Sequence, residues 1–168
     1  MKEKLLPSAV VTLVCAVVCG LLAVVNAATH DKIVQAESDK VQQSLTAVFG
    51  EGTYTPLDTQ YEDVSQVFSS DKGLTIYDIT ADGYAKGGIR ALIGITGDGC
   101  VAAVGIVSCT ETAGVGTKVT APDYLAQFVG AADADDCPDA ISGATFSSGG
   151  LRAAVDLALE CSKGRHTE

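Results

Sequence analysis

Apolar residues fill the start of the chain almost without interruption. Leu5–Ala28 contains no charged residue, and at about 1.5 Å per residue a helix of this length crosses a bilayer core of about 30 Å. Lys2 and Lys4 precede it, so the positive-inside tendency places the N-terminus in the cytoplasm and the remainder outside. The pattern predicts a single-pass anchor in the cell (inner) membrane.

A cleavable signal peptide is the alternative interpretation of the same segment. Val25-Asn26-Ala27 resembles a small-residue cleavage site. The apolar run is longer than the usual signal core of about 7–15 residues, which favours an uncleaved anchor. Both interpretations export the rest of the chain.

Helical spacing of apolar residues continues from Thr29 to Phe49 and is expected to stop at Gly50 and Gly52. The mixed pattern of Tyr54–Ser70 predicts a loop with at most a short strand. The apolar residues Leu74, Ile76, Tyr77 and Ile79, followed by the turn residues Asp82-Gly83, predict a strand over Gly73–Thr80.

The clearest pattern is a hairpin. Ile89–Ile95 and Val101–Val107 are rich in β-branched residues and flank Gly97-Asp98-Gly99, a strong turn signal. Their near-continuous apolar character predicts a sheet covered on both faces. A short helix is expected from Pro122 to Val129, and a second over Leu151–Leu159.

This order of elements predicts an α+β fold: an N-terminal transmembrane helix followed by one mixed α/β domain. The boundaries that we expect are an anchor over residues 1–30, a juxtamembrane helix and connection over 31–72, the domain over 73–163, and a tail over 164–168.

Composition narrows the function. The formal net charge is −10, and no basic stripe exists to neutralise phosphates, so nucleic acid is not an expected partner. Cys15 and Cys19 lie in the apolar segment as small packing residues. The four other cysteines, which either form disulfides or stay reduced, show no spacing typical of zinc or iron–sulfur sites: Cys100, Cys109, Cys137 and Cys161.

The first candidate for chemistry is the stretch Asp139-Ala140-Ile141-Ser142-Gly143-Ala144-Thr145. Gly143 lets the backbone bend close to a bound group, and Thr145 presents a hydroxyl just before the predicted helix. Ser147 or Ser148 is expected to cap that helix. Free N–H groups at a helix start bind phosphate, so the stretch indicates an anion-binding turn, with an ordinary Ser/Gly loop as the alternative.

The second candidate is the loop that follows the hairpin. Glu111-Thr112-Ala113-Gly114-Val115-Gly116-Thr117-Lys118 brings a carboxylate and a hydroxyl to a backbone that two glycines free for a sharp turn. A lone G-x-G is weak as a motif, and a plain connection is the alternative.

Together the two stretches resemble the FMN-binding domain family. The turn resembles its flavinylation motif, and the loop resembles its E-T-P-G-L-G segment, which follows a strand similar to Gly83-Tyr84-Ala85-Lys86-Gly87-Gly88-Ile89. The resemblance covers about residues 73–160 and extends to the anchor. Ala113 and Val115 depart from the family's proline and leucine, and Phe146-Ser147 stands where the family often has an apolar residue and threonine.

The family includes the G subunit of Rnf-type ion-translocating oxidoreductases and the C subunit of the sodium-pumping NADH:quinone oxidoreductase. The resemblance implies FMN joined through its phosphate to the Thr145 hydroxyl. Other implied contacts come from the turn (Asp139, Ser142, Gly143, Ala144) and from the loop (Glu111, Thr112, Gly114, Val115, Gly116, Lys118).

The function that the resemblance implies is electron transfer by a membrane-inserted subunit, with other membrane subunits of an Rnf-type complex as partners and no isolated turnover. A threonine needs activation, and His30 and His166 lie far from the motif, so a separate flavin transferase using FAD and Mg²⁺ is expected. The alternatives are a standalone flavinylated shuttle and, in another class, an anchored binding domain without a cofactor.

Overall fold

The computed structural model describes residues 2–58, 61 and 63–164, with side chains described from residue 10 onward except at residue 31. The side chains of Lys2 and Lys4, His166, and all of the predicted tail except Gly164 lie outside this part. The structure divides into two units, of which the second begins at Val41.

The described residues of the first unit, 2–40, belong to the long helix α1 (Lys2–Phe49). Within the described residues, one segment, Val10–Phe49, is long and apolar enough to span a membrane. The mean hydropathy of its most apolar 18-residue window is 2.6, and none of that window is buried. The predicted apolar helix is therefore confirmed, which suggests membrane anchoring.

The second unit is built on a five-stranded antiparallel sheet in which each strand pairs with the next one along the chain. Short 3₁₀ helices follow the sheet at Gly116–Thr120, Ala126–Phe128 and Ala134–Asp136. The strands and helices are β1 (Tyr54–Leu57), β2 (Val64–Ser70), β3 (Thr75–Ala81), β4 (Ile89–Ile95), β5 (Val101–Cys109), α2 (Pro122–Leu125) and α3 (Thr145–Ser162). The predicted α+β class is confirmed.

Both faces of the sheet are covered, as the apolar hairpin predicted. Ile93 of β4 belongs to a core cluster with Leu151 and Val155 of α3. Its neighbour Leu92 points to the other face and packs in a second cluster with Leu45 from the end of α1. Because successive strand residues alternate between faces, covering both faces buries nearly every residue of β4.

The prediction of a loop with at most a short strand over Tyr54–Ser70 is wrong, because the segment contains two strands, β1 and β2. β1 is an edge strand with three exposed residues and carries Pro56, which an edge tolerates. In β2, a register shift between Val64 and Gln66 disturbs the alternation of buried and exposed positions. The predicted domain start at residue 73 therefore falls inside one continuous sheet, between β2 and β3.

Two strand glycines let the end of α1 approach the sheet. A Cβ on Gly94 would lie less than 3.0 Å from the Phe49 ring, and one on Gly105 equally close to Val48. Real Cβ atoms do not approach other atoms this closely, so the aromatic ring and the branched side chain occupy notches that only glycine leaves open.

We predict that Gly94→Ala lowers the free energy of unfolding by about 1–3 kcal/mol, because the added methyl group displaces Phe49 from its notch. The measurement is urea unfolding of the full chain in detergent, followed by the near-ultraviolet circular dichroism of its tyrosines. Gly97→Ala is the matched control, since no atom lies near a Cβ there. Equal free energies of unfolding for the two variants would contradict the claim that Phe49 requires the space left by Gly94.

Candidate functional site

Three separate segments meet in a cleft of about 270 Å³. They are the connection between β3 and β4, the loop after β5, and the start of α3. The residues that line the cleft are Tyr84, Glu111, Thr112, Val115, Gly116, Gly143, Ala144, Thr145, Phe146 and Ser147. The two stretches that the sequence singled out are thus brought together on one surface.

The segments are joined by the carboxylate of Glu111, which is 6% exposed. One carboxylate oxygen accepts a hydrogen bond from the Tyr84 N–H at 2.9 Å, and the other accepts one from the Ala85 N–H at 3.0 Å. The Ser147 hydroxyl on α3 donates a third, short hydrogen bond. A buried charge is tolerated only when it is hydrogen-bonded in this way.

Glycines enclose this carboxylate. A Cβ on Gly83 or Gly88 would lie less than 3.0 Å from the Glu111 carboxylate, and one on Gly116 would collide with Glu111 and with the Ser147 hydroxyl. These three glycines have no positive φ. They are therefore required for space around Glu111 and not for a left-handed turn.

Burial alone would raise the pKa of Glu111, since a charged group loses its hydration. The hydrogen bonds from the Ser147 hydroxyl and from the Tyr84 and Ala85 N–H groups stabilise the charged form and lower its pKa below the ordinary 4.5. The residue is therefore a fixed negative charge at neutral pH.

Gly143 and Ala144 lead into the first helical residue of α3. Gly143 has φ +81°, a conformation that favours glycine. The Ala144 N–H closes a turn onto the Ile141 carbonyl at 2.9 Å, and α3 begins at Thr145. The helix thus starts several residues earlier than the predicted Leu151.

The predicted capping by Ser147 or Ser148 is wrong. The residue before the helix is Ala144, which offers no side-chain hydrogen bond, and both serines lie inside the first turn. Ser147 donates to Glu111. Ser148 donates to the Ala144 carbonyl at 2.8 Å and accepts from the Ile141 N–H at 3.1 Å.

Thr145 is exposed at the first position of α3 and lines the cleft. Its hydroxyl makes no hydrogen bond to any described residue. The N–H groups of a first helical turn have no acceptor within their own helix. The cleft therefore offers an accessible hydroxyl beside unpaired backbone donors.

Other predicted site residues lie outside the cleft lining. Asp139 and Ser142 are exposed on the approach to α3, and Lys118, the last residue of the loop, is exposed in the 3₁₀ helix Gly116–Thr120. Gly114, with φ +74°, donates its N–H to the Thr117 hydroxyl at 2.9 Å and so shapes the loop. Their roles toward a cofactor stay predictions.

Three lining residues were not among the predicted site residues: Tyr84, Phe146 and Ser147. Tyr84 belongs to the segment Gly83–Ile89, which resembles a strand motif of the family, and Phe146 adjoins Thr145. Both positions in the sequence therefore pointed to a place near the site. The pairing of Ser147 with Glu111 spans 36 residues and had no local signal in the sequence.

We predict that Glu111→Gln lowers the free energy of unfolding by about 2 kcal/mol at pH 7, because the amide leaves a buried donor unpaired. The stabilisation from a carboxylate with a lowered pKa is complete above the ordinary value and is lost as pH falls through its folded-state pKa. The difference from wild type should therefore shrink in acid.

Urea unfolding of the full chain at several pH values measures this difference. Glu51→Gln, which changes an exposed carboxylate, is the control and should be close to neutral. A Glu111→Gln penalty that stayed constant down to strongly acid pH would contradict the assignment.

Comparison with known proteins agrees with the position of this cleft. No curated protein matches the chain. The sequence model of the FMN-binding domain family matches residues 83–160, a range that contains every residue lining the cleft. The α+β fold of this chain therefore contains an FMN-binding domain, which suggests flavin binding and electron transfer.

Proposed function

We propose that this chain is a membrane-anchored electron-transfer protein that carries FMN in the cleft, joined through its phosphate to the Thr145 hydroxyl. The observation that carries the proposal is the exposed hydroxyl of Thr145 at the first position of α3, on the lining of the cleft. FMN, when bound, supplies reversible uptake and release of electrons. The chain holds and orients it.

The cleft fits such a ligand in shape. Gly143 has open space where a Cβ would be and lets the backbone come close, while Val115 and two aromatic rings provide apolar surface. Its volume of about 270 Å³ is below the roughly 300–1,000 Å³ of pockets that enclose a small ligand. A ligand as large as FMN would keep part of its surface in solvent, where a partner can exchange electrons with it.

Charge in the cleft favours a covalent link over reversible binding. No Lys, Arg or His lies among the described lining residues, and the one ionisable carboxylate there is Glu111. A free phosphate monoester carries a charge of about −1.5 to −2 at pH 7, whereas an ester to threonine carries one negative charge. The ester and the first-turn N–H groups of α3 reduce the repulsion that a free phosphate would meet.

Formation of the ester requires a second protein. A threonine hydroxyl is a weak nucleophile without a base, and the Glu111 carboxylate already accepts three hydrogen bonds. We propose that a flavin transferase, which uses FAD and Mg²⁺, catalyses the reaction and that FAD supplies the FMN group. The Thr145 oxygen forms the new bond to phosphorus, the diphosphate bond of FAD breaks, AMP leaves, and the hydroxyl proton passes to the transferase.

The remaining parts of the proposal concern location and partners. The apolar segment of α1 holds the chain in the membrane, with the N-terminus cytoplasmic and the FMN-binding domain outside. Outside the cytoplasm a dissociated flavin is lost by dilution, which a covalent link prevents. The assembly that we propose is an Rnf-type complex that passes electrons between ferredoxin and NAD⁺ while moving ions.

We predict that the chain produced with a flavin transferase gains the mass of FMN less one water, and that Thr145→Ala abolishes the gain. Thr112→Ala is the matched control, because Thr112 is an exposed threonine that lines the same cleft. It should keep the full mass gain. Intact-mass spectrometry measures the gain. A flavin attached to Thr145→Ala, or no flavin on the wild-type chain, would contradict the proposal.

Material purified from native membranes should begin at the chain's N-terminus, resist alkaline carbonate extraction and co-purify with multi-span subunits. The reason is that an uncleaved α1 remains embedded in the lipid. N-terminal peptide mapping finds where the chain begins, and comparison of the pellet and supernatant after carbonate treatment measures retention in the membrane. Mass spectrometry of the purified sample identifies the co-purifying subunits. A chain beginning after Ala27 would establish signal cleavage, and a flavinylated chain without membrane partners would point to a standalone shuttle.

A further inference from the structure

Large apolar side chains on the surface of the second unit are concentrated in the cleft. Among the described residues outside α1, the exposed large apolar side chains are Leu57, Tyr84, Val115, Val129 and Phe146. Three of them, Tyr84, Val115 and Phe146, line the cleft. Exposed apolar surface that gathers in one concave place indicates a binding surface, whereas scattered single residues need no explanation.

Tyr84 and Phe146 are the most exposed of the five, at 77% and 72%. Their ring centroids are 6.4 Å apart and their planes meet at 70°. They come from two different segments, the connection after β3 and the first turn of α3. Neither ring contributes to the buried core, so packing of the fold does not account for them.

The backbones that carry these rings are fixed by the same carboxylate. The Tyr84 N–H donates to Glu111, and Ser147, the neighbour of Phe146, donates to it as well. Glu111 thereby sets the distance between the two segments. Aromatic rings on a fixed backbone bind a flat ligand with little loss of conformational entropy, since they have few rotatable bonds.

We infer that Tyr84 and Phe146 form the platform that holds the isoalloxazine ring of the flavin, an inference that rests on the proposed function. Because the two planes meet at 70°, the flavin ring stacks on the face of one side chain and meets the edge of the other. A flat π system is the ligand that exposed aromatic faces prefer. Phe146 adjoins the residue that would carry the phosphate, so the ester and one of the two platform rings lie on the same turn of α3. The two residues position the ring, while Thr145 holds the phosphate.

The test uses the full chain produced with a transferase and measures time-resolved fluorescence anisotropy of the attached flavin. A ring on the platform tumbles with the protein, whereas a released ring adds a fast component. We expect Phe146→Ala and Tyr84→Ala each to raise the ratio of released to stacked ring about fivefold, the change that a typical aromatic contact represents. Tyr84→Phe, which keeps the ring, should resemble wild type.

Val129→Ala is the matched control, because Val129 is 54% exposed and does not line the cleft. Phe146→Ala changes the residue next to Thr145 and can impair recognition by the transferase. Tyr84→Ala lies far from Thr145 in the sequence and tests the platform without that effect. A flavin whose anisotropy decay is the same in wild type and Tyr84→Ala overturns the platform and leaves the proposed function standing. A wild-type chain without the FMN mass overturns both.

Discussion

The site depends on a single buried anion and the donors around it. Glu111 has lost almost all contact with water, and three hydrogen bonds compensate for its lost hydration. Those bonds come from two backbone N–H groups before β4 and one hydroxyl on α3. Because a buried carboxylate with a missing partner is costly, these bonds hold the connection, the loop and the helix start in one arrangement.

The strongest patterns in the sequence predicted the corresponding parts of the fold. The long apolar stretch, the glycine-turned hairpin and the helical C-terminal segment all appear as helices and strands. β1 and β2 were missed because a proline on an edge strand and a register shift hide the alternation that marks a strand. Local pattern predicts an element well only where burial follows a regular period.

The sequence predicted which loops form the candidate site but not the side-chain contacts that join them. Gly116 was expected to free the backbone for a sharp turn, whereas in the structure it makes room, with Gly83 and Gly88, for the Glu111 carboxylate. The serines after Thr145 suggested caps, whereas one of them donates to that same carboxylate. Both errors have one cause: a partner distant in the sequence determines what these small residues do.

The notches at Gly94 and Gly105 have a mechanical consequence. Phe49 and Val48 sit where any strand side chain would collide with them, so the last turns of α1 cannot slide along its axis without lifting out of the sheet. Sliding by one helical turn, about 5.4 Å, would bring different side chains to the two gaps. The two notches therefore hold the end of α1 in a single register against the strands of the FMN-binding domain.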